Sequence, residues 1–140
     1  MSDAIAAQVL DANARFYAAF EALDIAAVEN CWEQSARAAC VHPGSRWVSG
    51  WTAVQASLEG MLSNIDYIEF EVLDLNVTVE DPVAMVTCVE RVSSTAGTGR
   101  ATLDVCATNV FVLSSDGWKL VLHHASPIMQ PSEGEGGEEE

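Results

Sequence analysis

At about residue 66 the spacing of apolar side chains changes. Before that point they recur every three or four positions; beyond it they alternate, and they keep alternating to about residue 126. A helix repeats every 3.6 residues and a strand every two, so the chain divides into a helical front and a stranded back. That division fits architectures in which helices gather on one side of a sheet.

In the front part, Ile5, Val9, Ala12, Phe16, Ala19 and Leu23 form a stripe that predicts a helix over 3–22. Asp24 is placed to cap a second, short helix carrying Ile25, Val28 and Trp32. "ARAACVHPG" reads as a short strand stopped by the Pro43–Gly44 turn. A third helix is expected over about 51–64, with Ser49 or Thr52 as cap and Thr52 with Gln55 as a capping box.

In the back part, "YIEFEVLDLNVTVE" alternates but slips phase. Ile68, Phe70 and Val72 share one parity, while Leu73, Leu75, Val77 and Val79 share the other. One extra residue near Val72–Leu73 restores a single apolar face, which is the action of a β-bulge, and bulges bend sheets. "DP" at 81–82, "STAGTG" and "SSDG" have turn chemistry, so the strands between them should pair as an antiparallel meander. The predicted fold is α+β and cone-shaped. Three N-terminal helices pack on a strongly curved antiparallel sheet of four long strands plus one short strand, leaving a pocket between helix and sheet.

The chain has 140 residues, which suits one domain, and 49% of them are hydrophobic. The net charge is −15, which argues against a nucleic-acid partner. Five of the acidic residues lie in "PSEGEGGEEE" at 131–140. The division is therefore 1–128 as the domain and 129–140 as an acidic disordered tail. No apolar run approaches the length of a membrane span, and the N-terminus lacks the pattern of an export signal. Cys31, Cys40, Cys88 and Cys106 include no C-x-x-C pair, so free thiols in a reducing cytoplasm are expected.

The order of elements resembles the nuclear transport factor 2-like superfamily, and within it the SnoaL-like group and the association domain of calcium/calmodulin-dependent kinase II. "RFYAAFEALDIAAVENCW", "VHPGSRWVSGWTAV" and "TNVFVLSSDGWKLVLHHASP" carry the resemblance. It implies a conical ligand pocket and a homodimer through the open sheet face. Members include isomerases, cyclases, dehydratases and hydrolases, and others that only bind or assemble.

In the ketosteroid-isomerase branch an aspartate base precedes a proline at the strand end, and "VHP" puts His42 in its place. An imidazole is a competent base at neutral pH. The branch's hydrogen-bonding tyrosine aligns with Phe16. Tyr17, one residue on, lies about 100° around the helix. Asn109 falls near the branch's protonated acid, on an apolar strand face. Glu90 shares parity with Ala84, Val86 and Cys88, so it faces either inward as a general acid or outward as a surface charge. His124 shares parity with Trp118, Leu120 and Leu122, and His123 with Val121. The resemblance to the association domain places His124 at that strand's histidine, which implies a role for it in the pocket or the dimer face. Two adjacent strand histidines point to opposite faces, which argues against a metal site. Trp47 and Trp51 are candidate aromatic lining, with core packing as the alternative.

The expected function is a stand-alone domain that binds a small, largely apolar ligand, with His42 as candidate catalytic base or, alternatively, as simple pocket lining. Phe16, Tyr17, Trp47, Trp51, Glu90, Asn109 and His124 are its expected pocket, and neither metal nor cofactor is expected. The alternative is a non-catalytic oligomerisation module with an inert pocket.

Overall fold

Helix α1, Ser2–Glu21, ends in a turn that begins the next helix. Leu23 adopts a left-handed φ of 54°, and backbone bonds run from Leu23 N to the Phe20 carbonyl and from Asp24 N to the Ala19 carbonyl. These are the paired bonds of a Schellman ending. Asp24 then caps α2, Ile25–Asn30, its carboxylate accepting from the Ala27 amide at 3.1 Å. One aspartate thus closes the first helix with its backbone and opens the second with its side chain.

The computed structural model describes residues 2–129. After α2 come β1 (Ala39–Val41), β2 (Val48–Ser49), α3 (Trp51–Ser63), β3 (Tyr67–Glu80), β4 (Val83–Ala96), β5 (Gly99–Ser114) and β6 (Gly117–Pro127). The expected acidic tail lies outside the described residues, except for Met129. No described helix is long and apolar enough to cross a membrane.

The expected α+β architecture is present, with two differences in the sheet. It has six strands, in the order β2-β1-β6-β5-β4-β3. The additional one, β2, folds back antiparallel on β1. The sheet is also mixed, because β1 runs parallel to β6, pairing Ala39–Val41 with Leu122–His124. The four long strands form the antiparallel meander that their turns specify.

Helix α3 starts differently from expectation. Its N-cap is Gly50, at φ 85°, with no side-chain cap bond. That backbone conformation suits glycine and penalises other residues. Gln55, expected in a capping box, instead donates to the Glu29 carboxylate of α2 at 3.1 Å.

Two bulges shape the sheet. In β3, three steps from Leu73 to Asn76 match two steps from Val89 to Thr87 on β4. The extra residue sits a little beyond the expected place, with Asp74 at φ 54°. It returns Val77 to the inner face that Val72 occupies, as the phase slip requires. In β6, two steps from Leu120 to Leu122 match one step from Phe111 to Val110. That second irregularity reverses parity along β6. Trp118 and Leu120 are buried before it, and His123 and Ala125 after it.

The core lies between α1, α3 and the inner sheet face. Phe16, Leu58, Val86, Phe111 and Leu120 are fully buried there. Phe16, Phe20, Tyr17 and Phe70 pack edge to face, with ring centroids 5.0–5.9 Å apart.

Candidate functional site

Helix α1 buries a wider face than its stripe of apolar residues suggests. Ala12, Asn13, Phe16, Tyr17 and Phe20 are all buried, so the pairs i and i+1 both turn towards the sheet. The bent sheet supplies Glu90 from β4 and His123 from β6. The end of β1 supplies His42, and α3 supplies Met61. Between them lies a cavity of about 220 Å³, with Phe16, Tyr17, Phe20 and Phe70 among its walls. Among the described residues, no lysine or arginine lines it.

A buried chain of hydrogen bonds runs behind this cavity. His123 Nδ1 and Asn109 Oδ1 are 2.6 Å apart. The Asn109 amide donates to Asn13 Oδ1 at 2.8 Å and to the Tyr17 hydroxyl at 3.1 Å. Tyr17 in turn donates to Glu90 Oε2 at 2.5 Å. Asn109 is 0% exposed and Glu90 3% exposed, so every member is desolvated and depends on its neighbour.

The electrostatics follow from burial. Glu90 is pushed up to about 7 by desolvation, and the Tyr17 hydrogen bond opposes this in part. Tyr17 is held protonated by burial and by the adjacent Glu90. His42 is shifted below its usual value by burial. His123 falls to about 3, chiefly through burial and then through the neighbouring His42 and His124. At neutral pH the cavity therefore holds two neutral imidazoles and a carboxyl near half-ionisation.

His42 stands at the end of β1, where Cys40 pairs with His123 and Val41 with His124. Its Nε2 lies 3.0 Å from Ser57 Oγ of α3 and 3.4 Å from Cys40 Sγ. Its ring centroid is 6.4 Å from that of His123.

The cavity thus brings together Phe16, Tyr17, His42 and Glu90 of the residues expected in the pocket. Asn109 is one layer behind, reaching the cavity through Tyr17 and His123. Three others stand elsewhere. Trp51 packs on Trp32 at 6.3 Å. Trp47 is 60% exposed and packs edge-on against His124, at 5.3 Å, on the outward side. His123, not His124, faces inward, because the β6 bulge reverses the parity along that strand, and His124 is left on the outward sheet face rather than in the cavity. Tyr17 faces the cavity as well as Phe16, because the buried helical face spans both.

Asn13 and Ser57 escaped the sequence reading. Each is a single polar residue on a helix, and nothing in the pattern separates it from a surface position. A larger crevice of about 420 Å³ lies between α1, α2 and the β5–β6 turn, beside Arg15 and Lys119. Arg15 pairs with Asp11 and Lys119 donates to the Asn30 carbonyl, so its two cations are engaged.

Residues 9–130 match the model of the SnoaL-like domain. Among solved structures, a protein from Streptomyces avermitilis, provisionally named a dehydratase of the NTF2-like family, is 34% identical. The match covers 93% of this chain and 100% of that one, with a TM-score of 0.88. A protein from Thiobacillus denitrificans, provisionally named a calcium/calmodulin-dependent protein kinase type II association domain, is 31% identical. Here 84% of this chain and 93% of that one are covered, with a TM-score of 0.73. A nuclear transport factor 2-like superfamily protein from Salmonella enterica shares the fold at 14% identity, covering 97% and 99%, with a TM-score of 0.84. No curated protein matches.

Proposed function

The chain belongs to the SnoaL-like domain family, and on that premise we propose that it binds a small, uncharged, largely apolar molecule in the cavity and performs acid–base chemistry on it. The observation that carries this reading is that His42 and Glu90 meet on one apolar cavity, where burial favours the neutral form of the imidazole and raises the carboxyl. Opposed protonation states at one pH are what concerted acid–base catalysis requires.

The reaction that fits is elimination of water from a hydroxy-carbonyl compound. His42 takes the proton next to the carbonyl, and the C–H electron pair becomes the new double bond. The C–O bond breaks, and the departing hydroxyl leaves as water with the proton of Glu90. Tyr17 holds that carboxyl in place. The 34% identity to the Streptomyces avermitilis protein provisionally named a dehydratase supports this choice among proton-transfer reactions.

A panel of small hydroxy-ketones, followed by the ultraviolet absorbance of the conjugated product, tests it. Activity should rise with pH through the His42 titration and fall as Glu90 ionises near 7. His42→Ala should remove turnover while the fold is retained. Undiminished turnover in that variant would sink the assignment.

A second reading is an association module without catalysis, supported by the 31% identity to the Thiobacillus denitrificans protein provisionally named an association domain. Self-association through the outward sheet face belongs to either reading. Met85, Val110 and Leu122 stand side by side there in register. Two copies of a chain of charge −15 meet with least repulsion on such an uncharged strip. Light scattering of wild type and Val110→Glu distinguishes a dimer from a monomer. The four free cysteines support a reducing, cytoplasmic setting.

A further inference from the structure

The buried chain behind the cavity has a direction. An ionised Glu90 only accepts hydrogen bonds, so the Tyr17 hydroxyl must give it its single proton. The Tyr17 oxygen then accepts from the Asn109 amide nitrogen, whose other proton goes to Asn13. That leaves the Asn109 carbonyl oxygen facing His123 Nδ1 at 2.6 Å. An acceptor at that distance requires Nδ1 to carry the ring's proton. A neutral imidazole has only one N–H, so Nε2 of His123 is a bare lone pair.

This nitrogen makes no hydrogen bond among the described residues. Among the described residues the buried side-chain N or O atoms without a partner are the indole nitrogens of Trp32 and Trp118, and His123 Nε2, on a side chain 7% exposed, is not one of them. His123 lines the cavity, and its Nδ1 edge is the one turned towards Asn109. The lone pair is therefore an unmet acceptor on a largely apolar cavity whose other polar side chains are Tyr17, His42 and Glu90.

We propose that His123 Nε2 is a hydroxyl-accepting subsite, binding the O–H of an uncharged ligand, and that the Asn13–Asn109 amide pair acts as its positioning device by fixing the tautomer. This rests on the reading of the cavity as a ligand site and is independent of whether turnover occurs there. An unpaired acceptor in an apolar site selects ligands that carry a matching donor, because a ligand lacking one leaves the nitrogen unsatisfied. A hydroxyl entering the cavity has no other way to recover the bond it gives up to water, unless it reaches Glu90 or His42.

The test uses phenol and toluene, close in size and differing in a hydroxyl against a methyl group, with the full chain labelled with ¹⁵N-histidine at pH 8. The nitrogen shifts of His123 in the free protein should report Nδ1–H and an unprotonated Nε2. Phenol should move the Nε2 resonance and bind roughly fivefold more tightly than toluene, the return on one hydrogen bond. Asn109→Leu should lose both the single tautomer and the phenol preference. Should that variant not fold, the wild-type measurements decide alone. An Nε2–H tautomer overturns the positioning role of the amide pair. Toluene binding as tightly as phenol, an unmoved Nε2 resonance, or no binding of phenol overturns the subsite. Absence of turnover on hydroxy-ketones would remove the catalytic reading and leave these outcomes unchanged.

Discussion

Tyr17 on the first helix donates its hydroxyl proton to Glu90 on the fourth strand, and the two atoms are 2.5 Å apart. Neither group is satisfied without the other. Tyr17→Phe removes a donor to a buried carboxyl and an acceptor for the Asn109 amide. The expected loss is about 1–3 kcal/mol in urea unfolding. The Glu90 titration, followed by the infrared carboxyl band, should move above its value of about 7, since the hydrogen bond that holds it down is gone.

Glu90 should make stability fall as pH rises. Its folded-state value of about 7 lies above the ordinary 4.5, so between those limits the folded chain holds a proton that the unfolded chain has released. Stability is greatest below pH 4.5 on this account, declines up to 7, and is level beyond. The full span is about 3 kcal/mol. Glu90→Gln should lack this component, so the difference in unfolding free energy between variant and wild type should grow from pH 4.5 to 8. A constant difference would contradict the burial of the charge.

His123 acts in the opposite sense. Its folded-state value of about 3 lies below the ordinary 6.5, so the unfolded chain takes up the proton first as pH falls. This contributes stability above pH 6.5 that is lost on acidification towards 3. In His123→Gln the acid-side decline should be shallower than in wild type, as read by unfolding curves at pH 4, 5 and 6.

Asp24 has one side-chain bond, to the Ala27 amide. Asp24→Ala should cost about 1 kcal/mol, the usual price of an N-cap, and leave the cavity untouched. Thermal unfolding and activity measured together would show the separation.

Asp74 holds the left-handed position of the β3 bulge. Asp74→Gly should be neutral or slightly stabilising, and Asp74→Val should cost about 1–2 kcal/mol, because a β-branched side chain resists that backbone. Equal stability of the two variants would show that the bulge relaxes without its turn.

Much of this fold was legible because its punctuation is explicit. The change of period near residue 66, the turns at 81–82, 94–99 and 114–117, and the phase slip before Val77 each have one physical reading. The β6 bulge had no such sign. Leu120, Val121 and Leu122 are all apolar, so an inserted residue leaves no break in the alternation, and nothing in the sequence separates an inward His123 from an outward His124. Tyr17 was expected in the pocket and lines it, but its contact with Glu90 was not legible, because one apolar stripe does not reveal how much of the helix the sheet embraces. Asn13 carries no pattern of its own, since its role depends on Asn109 on the fifth strand.

The strand that leads into His42 is held to the rest of the sheet by a ladder of three residues, Ala39–Val41, against the far end of the chain. The long hairpins can zip from their own turns, whereas this ladder must wait for a large loop to close. His42 should consequently meet His123 late in folding and part from it early under stress. The hydrogen-exchange signature would be amides of residues 39–41 that open by a sub-global route, while those of β4 and β5 persist to complete unfolding. Chemistry at the cavity would then disappear before the fold does, and loss of activity on heating would run ahead of the melting curve.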